Sequence, residues 1–496
     1  MARIVLTASP VEMSDFNLNP FVAFSAGFPF PVPLSILRRR IYPAPRINPD
    51  GTAVFAPYGL RKVESLLVDR FGEEDVKVVH PYYLDRHVTS ETRVVGISTM
   101  DPMGIGFVSR TYTSILRLNG KPVTRREFEW LLRKKTLRKC RPKIVVGGSG
   151  AWQIPVLGLQ EKLGVDLVVL GQAEAGVVDI FEKLLNGENI KGVVEVDQPE
   201  LKDIPPIRNP SLYGTVEVTR GCGRGCSFCS PNMRRRISIP LEMVLKEASL
   251  NLKAGSRMIL LQTEDIYLYG SKGFKPNRES LMELFSKISE LEGLEYIQVA
   301  HAALAPAAWS AELTEMIGEI LIDYSLWRRN GEAYATFEVG IETGSPRLMK
   351  KYMAGKPKPY STEEWPKVVK EAIITLNSSG IYPLATIIIG MPGERVEDAV
   401  ETLKLVEELD DQLLFYVPLL FTAERNTPLE NSRNADTKAL AEVQWEIIGE
   451  CWRQNIDKWA QNKASTIKLA AKILFQLYYR WKHGEALGKA LDRLIS

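Results

Sequence analysis

Cysteine is scarce, with five in 496 residues, and three of the five fall between positions 222 and 229. So few cysteines build no disulfide framework, and crowding three of them together points to thiolate chemistry or metal binding. Neither sign of charge is in excess: 63 Lys and Arg stand against 60 Asp and Glu. The summed field therefore argues for neither nucleic-acid nor membrane binding, and any basic site must be local. No run of about 20 apolar residues is available to span a bilayer. The opening stretch MARIVLTASPVEMSDF has one basic residue and too short an apolar run for a signal peptide. A cytoplasmic protein without a transmembrane segment is the expectation. Low-complexity tracts and internal repeats are missing too, and at 45% hydrophobic and 25% charged the chain should fold throughout. Its length implies two or three domains of roughly 100–200 residues each.

The first two hundred residues alternate strand and helix signals. Strands are expected at Ile4–Thr7, Val76–His80, Val94–Ser98, Lys143–Val146 and Val165–Leu170, with helices such as Gly59–Phe71, Arg125–Lys135 and Ala175–Leu185 between them. This alternation reads as a doubly wound, Rossmann-like parallel sheet over residues 1–200, whose ligands would bind beyond the carboxyl ends of its strands. Pro-rich DQPELKDIPPIRNP, residues 197–210, reads as a linker. A second α/β alternation follows over 201–430, from Thr215–Thr219 to Pro383–Ile389 and the helix Val396–Glu408, as expected of a complete or partial β/α barrel. From about Asn431 to residue 496 the chain reads as wholly helical. Within that region Ile467, Ala471, Leu474, Tyr478 and Trp481 make an apolar stripe, which would pack on the barrel or touch a lipid.

The segment TRGCGRGCSFCS places Cys222, Cys226 and Cys229 in a Cys-x3-Cys-x2-Cys array directly after a strand. Three thiolates on a short loop can hold three irons of a cubane and leave the fourth iron open. A structural zinc would ask for four ligands, and no fourth Cys or His is near. Gly221, Gly223 and Gly225 suit a tight loop with its amides turned toward sulfur.

This array, with Phe228 just before the last cysteine, resembles the signature of the radical S-adenosylmethionine (SAM) superfamily over roughly residues 211–430. The resemblance implies a 4Fe-4S cluster on Cys222, Cys226 and Cys229, with SAM on the open iron and an external electron donor. It also implies SAM contacts from Phe228 and from Glu264 in Gln262-Thr263-Glu264-Asp265, which lacks the glycines usual at that strand end. Further contacts are implied for Glu338, Glu342 and Ser345 in FEVGIETGS and for Gly390 in GMPGE. The preceding doubly wound domain is similar to that of the cobalamin-binding subfamily. Here Ser98, Thr99, Gly147, Gly148, Gly171 and Glu174 would border cobalamin, and Asp101 or Met103 would face cobalt, unless Asp101 begins a turn and Met103 packs in the core. The Asp-x-His-x-x-Gly element by which other cobalamin proteins ligate cobalt is absent, and His80 and His87 do not replace it.

Joined, the two cofactors imply a cobalamin-dependent radical SAM methyltransferase acting on an unactivated carbon. A protein or peptide acceptor is expected, among which a glutamine of methyl-coenzyme M reductase in methane-metabolising archaea is one candidate. A ring-forming or lipid-coupling enzyme that uses cobalamin without methyl transfer is the alternative. The runs Arg38-Arg39-Arg40 and Arg234-Arg235-Arg236 read as solvated faces, and no nucleic-acid partner is expected. Cys140 and Cys451 stand alone and leave no second three-cysteine set.

Overall fold

The computed structural model describes residues 2–230, 235–460 and 465–484. It divides into two compact units: the chain up to Thr113 together with Leu118–Val216 and Glu242–Ile259, and the remainder.

In the first unit six strands, β1 (Ile4–Ala8), β2 (Val76–Val78), β3 (Val94–Ser98), β4 (Lys143–Gly147), β5 (Leu167–Gly171) and β6 (Gly192–Val196), form one sheet in the order β2-β1-β3-β4-β5-β6. Every pairing is parallel. Successive side chains point to opposite faces. Ile4, Leu6, Val94, Val145 and Leu167 enter one core with the helices Tyr58–Phe71 and Val177–Leu185. Val5, Val95, Ile144, Val146 and Val168 enter the other with Phe128 and Leu131. Burial on both faces explains why these strands are nearly unbroken Val, Ile and Leu. The chain runs outward from β1 in both directions, so the order reverses between β1 and β3, the place where open α/β sheets bind ligands.

The Pro-rich segment is packed rather than loose: Ile204 and Ile207 are buried. Arg61 of Tyr58–Phe71 donates to the Pro210 carbonyl at 2.9 Å, and Lys62 donates to Pro205 at 2.6 Å. Lys62 also forms a fully buried pair with Glu247 at 2.6 Å, which ties the helix Leu241–Lys253 into this unit.

The second α/β series comprises β7 (Val216–Glu217), β8 (Thr219–Arg220), β9 (Ile237–Ser238), β10 (Met258–Gln262), β11 (Tyr296–Val299), β12 (Arg328–Arg329), β13 (Glu332–Ala333), β14 (Glu338–Glu342), β15 (Leu384–Ile389) and β16 (Phe415–Leu420). Two three-stranded sheets, ordered β11-β10-β7 and β14-β15-β16, are joined by a parallel bridge between His301 and Glu338. The result is the strand series of a partial barrel. The last strand, β16, is held by Asn455, whose side chain accepts from the Tyr416 amide and donates to its carbonyl, each at 2.8 Å.

The helical tail begins later than expected. Residues 431–441 are turns and coil, and the helices are Glu442–Trp459 and Ser465–His483. Most of the apolar stripe is exposed, with Leu474 at 67% and Trp481 at 74%, while Tyr478 is half-buried and donates to the Leu116 carbonyl. The buried side is instead the one bearing Gln476 and Tyr479, with Tyr479 against Trp445. The inward face carries Lys472 and Gln476 beside Tyr479, so the apolar spacing points to the wrong side. The side chain of Ala471, and Arg234 of the basic run, lie outside the described residues.

Candidate active site

The cysteine loop leaves the barrel strands through a two-stranded clamp. Thr219 and Arg220 of β8 pair antiparallel with Ser238 and Ile237 of β9, so both ends of the loop are fixed at one place. Gly221, Gly223 and Gly225 have φ of 70°, 71° and 70°, left-handed values that an L side chain adopts only at a cost. Alternating them winds the loop tightly, with Cys222 and Cys226 buried and Cys229 half-buried. The Cys229 amide donates to the Cys226 carbonyl at 3.1 Å.

Arg224, between the first two cysteines, is the bolt. Its guanidinium pairs with buried Asp265 at 2.9 Å and donates to the carbonyls of Gly355, Lys356 and Lys358 at 3.2, 2.9 and 3.1 Å. The loop at 352–358 backs directly onto the cysteine loop. Ser227 donates to the Tyr352 carbonyl at 2.8 Å, and a Cβ on Gly355 would lie 2.0 Å from the Arg224 carbonyl oxygen.

Burial pushes the Cys222 thiol up to about 12 and the Cys226 thiol up to about 11, so both are neutral near pH 7 and a metal must displace their protons. Among the described residues no three His, Cys, Asp or Glu side chains already converge to hold a metal ion. The loop nevertheless fits an iron-sulfur cluster. It offers three thiols and tightly wound glycines, and Arg224 Nε is a buried donor with no partner among the described residues.

The strand-end residues read as SAM contacts do not all remain free for that role. Ser345 is fully buried, donates to Asp398 at 2.6 Å and caps the helix Pro346–Tyr352. Its hydroxyl is used structurally. Gly390 has φ +78°, and its amide donates to Glu394 at 2.6 Å. Burial raises that carboxyl to about 7, and Gln444 donates to it at 2.8 Å, so Glu394 organises the Gly390 turn. Glu342 pairs with Lys356 at 2.9 Å. Phe228 and Glu264 are half-buried, and Glu338 pairs with His301 at 2.9 Å.

Sequence reasoning missed His301, although it lies just past the end of β11. It is 42% exposed, and its Nε2 meets Glu338 at 2.9 Å. Burial lowers its pKa, but Glu338, Glu264 and the Thr263 carbonyl outweigh that and hold it up at about 9. A histidine raised above its ordinary value contributes stability that is complete below about pH 6.5 and lost as pH rises through about 9. Urea midpoints of wild type and His301→Gln should therefore differ most at pH 6 and converge by pH 10, on the order of one unit past that pKa. A constant difference would mean that His301 does not gain its proton from this pair.

In the first unit Ser98, Gly147, Gly148, Gly171 and Glu174 lie at the carboxyl ends of β3, β4 and β5, partly or fully exposed. Gly147 has open space around it: a Cβ placed there would come no nearer to its surroundings than 3.8 Å, from the Val169 carbonyl oxygen. Gly148 is needed by the fold itself: φ is +98°, and a Cβ would lie 2.3 Å from the Thr99 carbonyl oxygen. Thr99 is buried, its hydroxyl on the Gly147 carbonyl at 2.9 Å.

Asp101 and Met103 take the alternative roles, one in a turn and one in the core. Asp101 accepts from the amides of Ile105 and Gly106, from Gln153 and from Ser109, which consumes its carboxylate in the turn. Met103 is buried among Ile97, Val146 and Ala151. The exposed side chain there is Met100, at 73%. Its amide donates at 2.7 Å to Glu12, which follows β1 and whose pKa burial raises to about 7. Met100 and Glu12 thus mark the point where strand order reverses. The rim of small exposed residues fits a flat cofactor laid along the strand ends.

Residues 216–406 match the Radical SAM superfamily. Among curated proteins, a tRNA-2-methylthio-N(6)-dimethylallyladenosine synthase of Fusobacterium nucleatum is 27% identical over 260 residues, 51% of this chain and 54% of that protein. The ribosomal protein uS12 methylthiotransferase RimO of Cytophaga hutchinsonii is 29% identical over 204 residues, 41% of this chain and 42% of that protein. The chain thus spans about half the length of these relatives. The radical SAM methyltransferase TsrM of Kitasatospora setae, solved with cobalamin and a 4Fe-4S cluster, shares the fold with a TM-score of 0.54 at 15% identity, over 86% of this chain and 74% of that one. TsrM with tryptophan and a SAM analogue gives 0.56 at 15% identity, over 86% and 75%. The cysteine loop, the strand series that carries it and the matched segment agree: residues 216–406 form a domain that matches the Radical SAM superfamily.

Proposed function

We propose that the chain is a cobalamin-dependent radical SAM methyltransferase that adds a methyl group to an unactivated carbon, residues 1–200 carrying cobalamin, 201–430 the cluster and SAM, and 431–496 a helical region. The observation that carries this reading is the coexistence of two sites in one chain: the cysteine loop locked by Arg224, and a doubly wound sheet with an exposed rim of small residues at its strand ends. TsrM, which shares this fold, is a methyltransferase solved with cobalamin and a cluster.

The cluster, when bound, supplies the electron that splits SAM to give a 5′-deoxyadenosyl radical, and cobalamin supplies a methyl carrier. The protein's own share is to hold the pieces. Cys222, Cys226 and Cys229 would bind iron, Glu264 would meet the SAM amino group by a charge-assisted bond, and Ser98, Gly147, Gly171 and Glu174 would border the corrin. A general acid or base is not required for hydrogen-atom abstraction, because positioning and exclusion of water do that work.

Methyl transfer is favoured over the methylthio transfer named in the curated relatives because sulfur insertion needs a sulfur source. The two other cysteines, Cys140 and the fully buried Cys451, cannot build a second three-cysteine cluster. The basic runs do not support an RNA partner. Arg38 is paired with Glu127 at 2.6 Å and Arg236 donates to the Ser271 and Gly273 carbonyls. A protein or peptide acceptor remains the preferred class, with a glutamine of methyl-coenzyme M reductase the first to test.

Reconstituted protein given cobalamin, reductant, that acceptor and methyl-deuterated SAM should yield an acceptor carrying a deuterated methyl group. S-adenosylhomocysteine and 5′-deoxyadenosine should form in comparable amounts. A cyclised or coupled product with 5′-deoxyadenosine alone would select the ring-forming or lipid-coupling alternative.

A further inference from the structure

The barrel contains an ion pair that the fold goes to unusual lengths to place. Lys356 Nζ meets Glu342 Oε1 at 2.9 Å, with the two side chains 15% and 8% exposed, and Thr386 donates to the other Glu342 oxygen at 3.2 Å. Glu342 has φ +63°, a left-handed value for a residue with a side chain. It sits where the β14–β15 register shifts between Gly340 and Glu342. Bulges of this kind re-aim a side chain, and residues held in sparsely populated backbone regions gather at functional sites. Gly340 completes the arrangement: a Cβ there would lie 2.0 Å from Glu342 Oε1 and 2.4 Å from Lys356 Nζ. A strained residue, a bulge and a bare glycine therefore all serve one pair. An ordinary structural ion pair needs none of them.

The pair is directed at the cysteine loop. The Lys356 carbonyl accepts from Arg224 at 2.9 Å, which anchors its backbone to that loop. The same segment is tied beside Cys226, where the Ser227 amide donates to the Tyr352 carbonyl at 2.8 Å. Reduction adds one negative charge to a cluster, and a cation held close by in a poorly solvated site favours the reduced form. We infer that Lys356 is a positioning residue that raises the reduction potential of the cluster through its charge beside Cys226, with Glu342 fixing its place. This rests on the cluster reading of the three cysteines.

The test is an EPR-monitored redox titration of reconstituted protein without SAM. Lys356→Met should keep its iron and shift the potential negative by about tenfold in the reduction equilibrium, which is 59 mV for one electron. Lys356→Arg, which keeps the charge, should restore most of the shift. Glu342→Gln removes the opposing charge and should move the potential the other way. Opposite shifts from two halves of one pair are not what a structural role gives. Potentials that ignore both substitutions, or that move in the same direction, would overturn the inference while leaving the cluster intact. Wild-type protein with no reducible cluster would overturn the cluster reading and this inference with it.

Discussion

Cys226→Ala should bind far less iron than wild type and form no 5′-deoxyadenosine from SAM under reduction, a complete loss of function. Wild type should take up about four irons on reconstitution, as a cubane requires. Cys226 is buried at the centre of the loop, flanked by the bolt at Arg224 and the charge of Lys356. Two thiols cannot replace three in holding a cubane, and the other two cysteines are engaged elsewhere: Cys451 is fully buried in the helix Glu442–Trp459, and the Cys140 thiol rests on the Val88 carbonyl at 3.6 Å. The fold itself should survive, since small-to-large strain is avoided and the lost side chain is only a thiol. Iron analysis together with circular dichroism separates the two effects. A Cys226→Ala protein that keeps its iron and its SAM cleavage would refute the assignment of the loop.

Arg224→Met should cost about 3–5 kcal/mol, the range for breaking a buried ion pair by removing one partner. The charge of Asp265 would be stranded, since its side chain is 1% exposed and would keep only the Ala303 amide, at 3.1 Å, among the described residues. The carbonyls of Gly355, Lys356 and Lys358 would lose their shared donor at the same time. Lysine is a poor substitute, because one ammonium cannot reproduce the planar fork that serves four partners. Removing both charges, as in Arg224→Met with Asp265→Leu, should recover part of the loss because no buried charge is then left alone. Urea unfolding of the three proteins measures this. A loss for Arg224→Met under about 1 kcal/mol, the size typical of an exposed pair, would show that the loop is not held this way.

Most of the architecture is legible in the sequence because it rests on periodicity. The strands of the doubly wound sheet are buried on both faces and announce themselves as Val, Ile and Leu runs. β6 is a half-exposed edge strand, and its short Val-Val-Glu-Val run is easily passed over beside the Pro-rich segment that follows. β16 escapes because Pro418 interrupts the pattern, yet it pairs with β15 over its whole length. The late start of the helical tail is hidden by the polar stretch at 431–441, which lacks helical spacing but carries no strong breaker.

The site divides in the same way. The cysteine spacing is local and readable from the sequence, and the strand-end motifs lead to Glu264, Glu338 and Glu342. Which partners those side chains meet is a tertiary matter. Glu338 is met by His301 from the neighbouring strand end and Glu342 by Lys356 fourteen positions on. It is the family resemblance alone that sets Asp101 or Met103 beside cobalt. The turn they occupy exposes Met100 instead, because Asp101 is drawn in by four donors and Met103 by the core. The Gly-Arg-Gly spacing in the cysteine loop is the sign of Arg224 that the sequence offers.

The most direct measurement is whether the chain, purified without oxygen, reconstituted with iron and sulfide and given hydroxocobalamin, keeps both cofactors through desalting. The expected result is a bound corrin absorption spectrum in stoichiometric amount beside the cluster. Substituting Gly147 by Val, at a rim glycine with room for a side chain in the protein itself, should weaken corrin binding without lowering iron content. A chain that retains its cluster but lets all cobalamin go, at any concentration tried, would contradict a cobalamin-dependent methyltransferase.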